Sequence, residues 1–243
     1  MDSLKIVGIE VKHFVETDST NNEAKRKALA GYSCPMLFIA DSQTAGRGRM
    51  GRSFYSPNST GLYMSYLYKP QGSLADSVTV TAAAAVAVVR AIEELSDLKP
   101  LIKWVNDIYI GGKKVCGILT ESVTDKRGVA SVVIGIGVNI TTDKFPDELE
   151  ETAVSLNSNI DRDQLAVTIV NNLCELIKDL PKRTFLQEYK EKSWVLGKEI
   201  LFIKDGESQN GIAVDINRDG GLAVKTEDGI LTLSTGEITL RVI

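Results

Sequence analysis

The chain has 243 residues and a formal net charge of −4, which argues against a general nucleic-acid or membrane-surface binder. Its single histidine and its three distant cysteines, Cys34, Cys116 and Cys174, argue against a zinc site and a disulfide framework. The N-terminus has no signal-peptide pattern, and the apolar block from Ala82 to Val89 is far shorter than the roughly 20 residues of a membrane helix, so we expect a cytoplasmic protein without membrane insertion.

The first elements in the chain are a strand and a helix. Lys5–Val15 alternates weakly and is rich in valine and isoleucine, which predicts a strand. Thr20 with Glu23 three residues later has the form of a capping box, so a helix is predicted from about residue 21 to residue 30. The polar residues before this helix are explained by capping alone, but they would also suit a polar or anionic ligand. His13 has no acidic or cysteine neighbour in sequence and is interpreted as structural.

A loop rich in arginine and glycine follows the second predicted strand, Pro35–Ala40, and precedes a third, Gly61–Tyr68. The loop reads QTAGRGRMGRSFYSP from Gln43 to Pro57. Glycine allows the backbone to approach a ligand closely, and each guanidinium offers a planar fork of donors to phosphate or carboxylate. The interleaved residues are Gly46, Arg47, Gly48, Arg49, Gly51 and Arg52. The pattern therefore predicts a loop that closes over an anion.

Two nucleotide-binding motifs and a simpler alternative were weighed for this loop. The spacing Gly-x-Gly-x-x-Gly matches the dinucleotide fingerprint, but Gln71 and Gly72 stand where that motif needs an acidic residue. A P-loop is excluded because no Gly-Lys-Ser/Thr ending follows. A solvated basic loop would explain the arginines, but not the glycines placed between them.

The second informative stretch is LIKWVNDIYIGGKKVCGILTES, which follows a long alanine-rich helix predicted over 73–95. We predict strands over 102–105 and 108–110, with 115–122 returning as a hairpin. Asn106 and Asp107 interrupt the first run, so they form a bulge or face a ligand or a phosphate-bound magnesium. Lys114 could reach a phosphate. An exposed hairpin remains a rival explanation for 111–113.

The remaining half of the chain changes character near its end. Residues 129–140 predict a buried strand ending in the polar Asn139, and Phe145–Glu151 predicts an acidic loop. Helices are predicted over 161–180 and 184–190. From Lys198 onwards, short alternating segments between glycine-containing turns predict a small all-β barrel of about 50 residues that packs on the main domain.

Four ordered blocks resemble the biotin protein ligases, also called biotin–acetyl-CoA-carboxylase ligases. They are DSTN at Asp18–Asn21, QTAGRGRMGR at Gln43–Arg52, KWVND at Lys103–Asp107 followed by KKVCGIL, and GIGVN at Gly135–Asn139. The resemblance covers nearly the whole chain. Three residues depart from the family pattern: Val105 replaces a usual proline, Cys116 a small residue, and Phe54 a frequent tryptophan that packs near adenine.

The resemblance implies a two-step reaction with ATP and biotin as substrates and Mg²⁺ as cofactor. Biotin would attack the α-phosphate of ATP, and a lysine of a biotin carboxyl carrier protein would then displace AMP. The implied catalytic residues are Lys114, Arg49 and Asp107, with Asp107 also holding magnesium. The implied biotin-binding residues are Ser19, Thr20, Gln43, Gly46, Arg47, Lys114 and Gly117, and those for ATP are Arg49, Arg52, Phe54, Asn106, Lys114 and Asn139.

The implied fold class is α+β, with a mixed-sheet catalytic domain over 1–193 and an SH3-like domain over 194–243. A homodimer is common in such proteins and is expected here. The winged helix of ligases that also act as repressors has no room before Lys5, so no DNA partner is expected. Two alternative functions stay open: a lipoate–protein ligase, and a sensor that binds biotin or nucleotide without turnover.

Overall fold

The computed structural model describes residues 4–32, 35–70, 77–126, 130–204, 206–234 and 240–242. Cys34 and residues 73–76 of the predicted long helix lie outside this part of the chain. Within it, seven strands form one mixed sheet, and five more form a second sheet.

The seven-stranded sheet has the order β1-β2-β3-β7-β6-β5-β4. Its first pair, β1 and β2, is parallel, and the other pairs are antiparallel. The strands are β1 (Glu10–Thr17), β2 (Met36–Gln43), β3 (Gly61–Tyr68), β4 (Leu101–Lys103), β5 (Asp107–Ile110), β6 (Lys113–Thr124) and β7 (Ala130–Asn139). The mixed sheet predicted from the family resemblance is confirmed.

Helices cover both faces of this sheet. They are α1 (Thr20–Leu29), α2 (Ser77–Leu95), α3 (Asp147–Glu150), α4 (Arg162–Asp179) and α5 (Phe185–Glu191). Side chains alternate along a strand, so Met36 and Phe38 pack with α1 residues while Leu37 and Ile39 join the core that contains α2 and α4. The face of the sheet that packs on α1 also carries Gly117, Gly135 and Gly137. The candidate site forms on this face.

Four local predictions were wrong. The strand predicted over 102–105 ends at Lys103, and 104–106 form a turn. The capping box is absent: Ser19 is the N-cap of α1, while the Thr20 backbone N–H and hydroxyl both donate to the Gln43 carboxamide. The first strand begins only at Glu10, because Gly8, at φ 77°, turns the chain back. The acidic segment after residue 145 is not wholly a loop, since Asp147–Glu150 forms α3. Carboxylates favour a helix N-terminus, which explains that short helix.

The second sheet is antiparallel, in the order β11-β10-β9-β8-β12. Its strands are β8 (Glu199–Lys204), β9 (Glu207–Ile216), β10 (Leu222–Thr226), β11 (Gly229–Leu233) and β12 (Leu240–Val242). Ile200 and Phe202 share one apolar core with the main sheet. The Trp104 indole donates to the Gly220 carbonyl at 2.9 Å, so this sheet supports the segment between β4 and β5.

Over the stretches that the structure describes, no helix combines the length and apolar character needed to cross a membrane.

Candidate functional site

The arginine- and glycine-rich loop folds as a small hairpin between β2 and β3. Gly48 N–H donates to the Arg52 carbonyl at 2.7 Å, and Phe54 N–H donates to the Gly46 carbonyl at 2.9 Å. At the tip, Met50 and Gly51 have φ of 55° and 73°. A Cβ at Gly46 would lie 2.4 Å from the Phe54 carbonyl oxygen. Glycine at position 46 is therefore required by the loop's own packing.

Glycines on β6 and β7 form the floor of a cavity below this loop. Gly117 and Gly137 pair across the two strands. A Cβ at Gly137 would lie 2.5 Å from the Phe54 ring, and a Cβ at Gly135 would lie 2.1 Å from the Asn21 side-chain oxygen. These glycines allow Phe54 and Asn21 to lie directly on the sheet. The GIGVN block stands out in the sequence, but strand pairing is what places its glycines at the floor of the cavity.

A polar end of the cavity lies where α1 meets β2. The Gln43 carboxamide accepts from Thr20 N–H at 2.8 Å and donates to the Ser56 hydroxyl at 2.9 Å. The Ser65 hydroxyl lies 2.7 Å from Thr20 Oγ1 and 2.5 Å from Asn21 Oδ1. Buried donors and acceptors held in this way present a defined pattern to a polar ligand.

The centre of the cavity is charged. Lys114 Nζ lies 2.7 Å from Asp107 Oδ1. An Arg49 guanidinium N–H donates to Asn106 Oδ1 at 3.1 Å, and Asn106 in turn donates to the Ile118 carbonyl at 2.9 Å. Burial lowers the pKa of the Arg49 guanidinium, and the nearby Asp107 carboxylate opposes that effect. The group still remains a cation, because the pKa of arginine starts above 12.

Glu121 ties the loop to α1. Its carboxylate accepts from Asn21 Nδ2 at 2.9 Å and from Lys25 Nζ, and the Arg47 guanidinium lies 3.4 Å away. Arg47 also donates to Asn22 Oδ1 at 3.2 Å. No local sequence pattern singles out Glu121. It lies four residues after Gly117 on one strand, and this even spacing places both residues on the cavity face.

The cavity has a volume of about 410 Å³, within the usual range for small-molecule sites. It brings together most of the residues singled out from the sequence, which are Ser19, Thr20, Gln43, Arg47, Arg49, Arg52, Phe54, Asn106, Asp107, Lys114 and Gly117. Two others do not line it. Gly46 packs against Phe54 and Ser56 within the loop. Asn139 is buried, and its Nδ2 lies 3.3 Å from the Val154 carbonyl oxygen. Their ligand contacts stay predictions.

The far side of the cavity contains residues to which the sequence analysis gave no role. They include Lys103, Trp104, Tyr109, Leu149, Thr152 and Ala153. The last three belong to a segment docked on β6, where Lys114 N–H donates to the Thr152 carbonyl at 2.8 Å and Val154 N–H donates to the Lys114 carbonyl at 2.9 Å. That contact is between residues distant in sequence, so no local pattern predicts it.

Comparison with known proteins finds relatives over most of the chain. Residues 13–139 match the family model described as the biotin/lipoate A/B protein ligase family, and residues 195–241 match the biotin protein ligase C-terminal domain. The chain is 35% identical to the bifunctional ligase/repressor BirA of Bacillus spizizenii, over 94% of this chain and 74% of that protein. It is 28% identical to the biotin–[acetyl-CoA-carboxylase] ligase of Mycobacterium tuberculosis, over 92% of this chain and 86% of that protein.

A solved structure is similar over the whole fold. The biotin protein ligase from Aquifex aeolicus in complex with biotin and ATP superposes with a TM-score of 0.84 at 28% identity, covering 96% of this chain and 99% of that one. The similarity therefore includes both sheets of the fold. The chain belongs to the biotin protein ligase family.

Proposed function

We propose that this protein activates biotin with ATP and then transfers biotin to a lysine of a biotin carboxyl carrier protein. The observation that carries the proposal is one cavity that joins a polar end at α1 to a cationic centre around Lys114. Biotin has a polar ureido ring at one end and a carboxylate at the other. The two ends of the ligand would match the two parts of the cavity.

The polar end would bind the ureido ring. Ser19 and Thr20 are buried there, and Thr20 holds the Gln43 carboxamide by two hydrogen bonds. These residues would offer hydrogen bonds to the ureido N–H and C=O groups of biotin, which a fatty acid of similar length lacks, and a buried polar group without a partner costs about 1–3 kcal/mol. This penalty favours biotin. Arg47 lies beside this region and would orient the ligand as the loop closes.

In the first step, an oxygen of the biotin carboxylate attacks the α-phosphorus of ATP. The bond between that phosphorus and the bridging oxygen breaks, and pyrophosphate leaves with the electron pair. Two anions must meet, so positioned cations are the main requirement. Lys114 and Arg49 would stabilise the charge on the α-phosphate, while Arg52, Phe54 and Asn106 would contact the nucleotide; the Asn139 contact is a further prediction.

In the second step, the amine of the carrier lysine attacks the biotinyl carbonyl of biotinyl-5′-AMP, and AMP leaves. A closed arginine- and glycine-rich loop would keep water away from the mixed anhydride. The relatives' naming as acetyl-CoA-carboxylase ligases supports a carboxylase carrier as the acceptor. A homodimer, a cytoplasmic location and the absence of a DNA partner remain predictions from the sequence and from the resemblance.

The residues at the site fit a magnesium ion held mainly by ATP. In the described chain, no three histidine, cysteine, aspartate or glutamate side chains gather as a metal site. Asp107 supplies one carboxylate at the cavity, and Mg²⁺ commonly binds one or two carboxylates together with substrate phosphates. The ion would neutralise phosphate charge when it is bound.

The test is biotin-dependent release of pyrophosphate from ATP and magnesium. We expect Lys114→Ala to slow release by about 100- to 1000-fold. Lys113→Ala is the matched control, because Lys113 Nζ donates to the Glu150 carbonyl at 3.0 Å and does not line the cavity. Release with lipoate instead of biotin would move the protein to lipoate ligation. Binding of biotin without any release would make it a sensor.

A further inference from the structure

The β4–β5 side of the cavity carries a cation that the proposed reaction has not yet used. Lys103 lines the cavity, and its Nζ lies 3.2 Å from the Tyr109 hydroxyl oxygen. The Tyr109 ring stacks on Trp194, with 4.9 Å between ring centroids, and Lys103 Nζ lies 5.8 Å from the Trp194 ring centroid. Lys103 is therefore held in place by a hydroxyl and two aromatic rings.

Strand pairing places Lys103 in line with the reacting centre. Lys103 pairs with Asp107, Asp107 pairs with Gly117, and Gly117 pairs with Gly137. Directly paired residues point to the same face, and neighbouring strands lie about 4.8 Å apart. Lys103 thus lies roughly 10 Å from Gly117, on the opposite side from the polar end at α1 and β2.

In-line displacement then fixes where the leaving group goes. This inference rests on the proposed function, in which the biotin carboxylate approaches from the polar end and reacts near Lys114. The attacking and leaving oxygens lie roughly in line across the α-phosphorus. The pyrophosphate must therefore project towards β5 and β4, where Lys103 is the lysine on the cavity wall.

We propose that Lys103, positioned by Tyr109 and Trp194, binds the β- and γ-phosphates of ATP and the departing pyrophosphate. Its ammonium group would neutralise charge that accumulates on the leaving group as the bond breaks. Trp194 lies shortly before the C-terminal sheet, which begins at Glu199. The C-terminal part of the chain would therefore help to position the Lys103 ammonium group. The acyl-transfer step contains no pyrophosphate and would not use Lys103.

The test separates the two half-reactions in the full-length protein. Lys103→Gln should lower kcat/KM for ATP in biotin-dependent pyrophosphate release by about 10- to 100-fold. It should weaken product inhibition by inorganic pyrophosphate by a similar factor. Transfer of preformed biotinyl-5′-AMP to a carrier domain should stay within about twofold of wild type. Tyr109→Phe should show the same pattern to a smaller extent, because the lysine keeps its charge but loses its anchor.

Lys198→Gln is the matched control. Lys198 Nζ lies 4.4 Å from the Trp194 ring centroid but does not line the cavity, so its loss should leave both half-reactions within about twofold of wild type. Unchanged pyrophosphate inhibition in Lys103→Gln would overturn the inference. An equal loss in both half-reactions would also overturn it, because it would indicate a structural role. If wild type releases no pyrophosphate with biotin, the proposed function fails and this inference fails with it.

Discussion

At the scale of single residues, the site depends on glycines, which have no side chain, as much as on its polar and charged residues. The sheet has no side chains at three positions of the cavity floor, and Phe54 and Asn21 therefore pack directly against its backbone. These positions are Gly117, Gly135 and Gly137. Interiors are packed closely enough that one added methyl group must displace a neighbour. The Phe54 ring meets Tyr63 edge to face at 6.4 Å between ring centroids, which limits how far it can move.

Gly137→Ala should therefore displace Phe54 and reduce both stability and ligand binding. We expect a loss of about 1–3 kcal/mol in the free energy of unfolding, measured by urea denaturation. Calorimetric titration should show biotin binding weakened by about tenfold or more. The double variant with Phe54→Ala tests the cause. If the collision is responsible, the two losses of stability will add to more than the loss in the double variant; simple additivity would contradict the explanation.

At the scale of elements, one buried carboxylate connects β1, β2 and α4. Asp41, only 7% exposed, accepts from His13 Nε2 at 2.8 Å and from Arg162 Nη1 at 2.5 Å. Burial alone would raise the pKa of Asp41, but the hydrogen bonds from Arg162 and His13 outweigh it and lower the pKa. His13, which has no acidic neighbour in sequence, thus has a carboxylate partner on β2.

This carboxylate predicts a defined pH dependence. Because folding lowers the pKa of Asp41, the ionised carboxylate stabilises the fold at pH values above its ordinary pKa of 3.8. This stabilisation is lost as the pH falls from 3.8 through the lowered pKa. Asp41→Asn should cost about 1–3 kcal/mol at pH 7, and the difference from wild type should shrink towards pH 3. Urea denaturation at several pH values measures it. A difference that stays constant with pH would show that the charge is not the cause.

At the scale of the whole molecule, the C-terminal sheet and α5 hold the segment that connects β4 and β5. The Trp104 indole donates to the Gly220 carbonyl at 2.9 Å, and the Tyr189 hydroxyl donates to the Val105 carbonyl at 3.0 Å. The Lys190–Asp215 ion pair, at 2.6 Å, joins α5 to β9. The C-terminal sheet and α5 therefore support the segment that leads into Asn106 and Asp107.

Trp104→Phe should leave the Gly220 carbonyl without its indole donor. We expect a loss of about 1–3 kcal/mol in the free energy of unfolding and faster hydrogen exchange in 104–107. Calorimetry should still show one transition, because the sheets share a core. Lys225→Ala, an exposed change on β10, is the control and should stay within about 0.5 kcal/mol of wild type. Separate melting of the two sheets would contradict this coupling.

Much of the fold and site could be predicted because the signals are local. Alternation and turn residues located the strand over 61–68, and the loop that its arginines and glycines single out lines the cavity. The sequence alone did not distinguish two roles, helix capping and ligand binding, for Ser19 and Thr20 at the start of α1. A capping box and a ligand-facing N-terminus have the same residues, and only the position of Gln43 beside Thr20 distinguishes them.

The sequence by itself determined the family, the main elements and the types of side chain at the site, because these depend on short patterns in a fixed order. Only the tertiary structure decided the glycine floor, the docking of 149–153 on β6, the contacts of Glu121 and Lys103, and the exclusion of Asn139 from the cavity wall. Each of these depends on contacts between residues distant in the chain. Such contacts follow from strand register and packing, which no local pattern specifies.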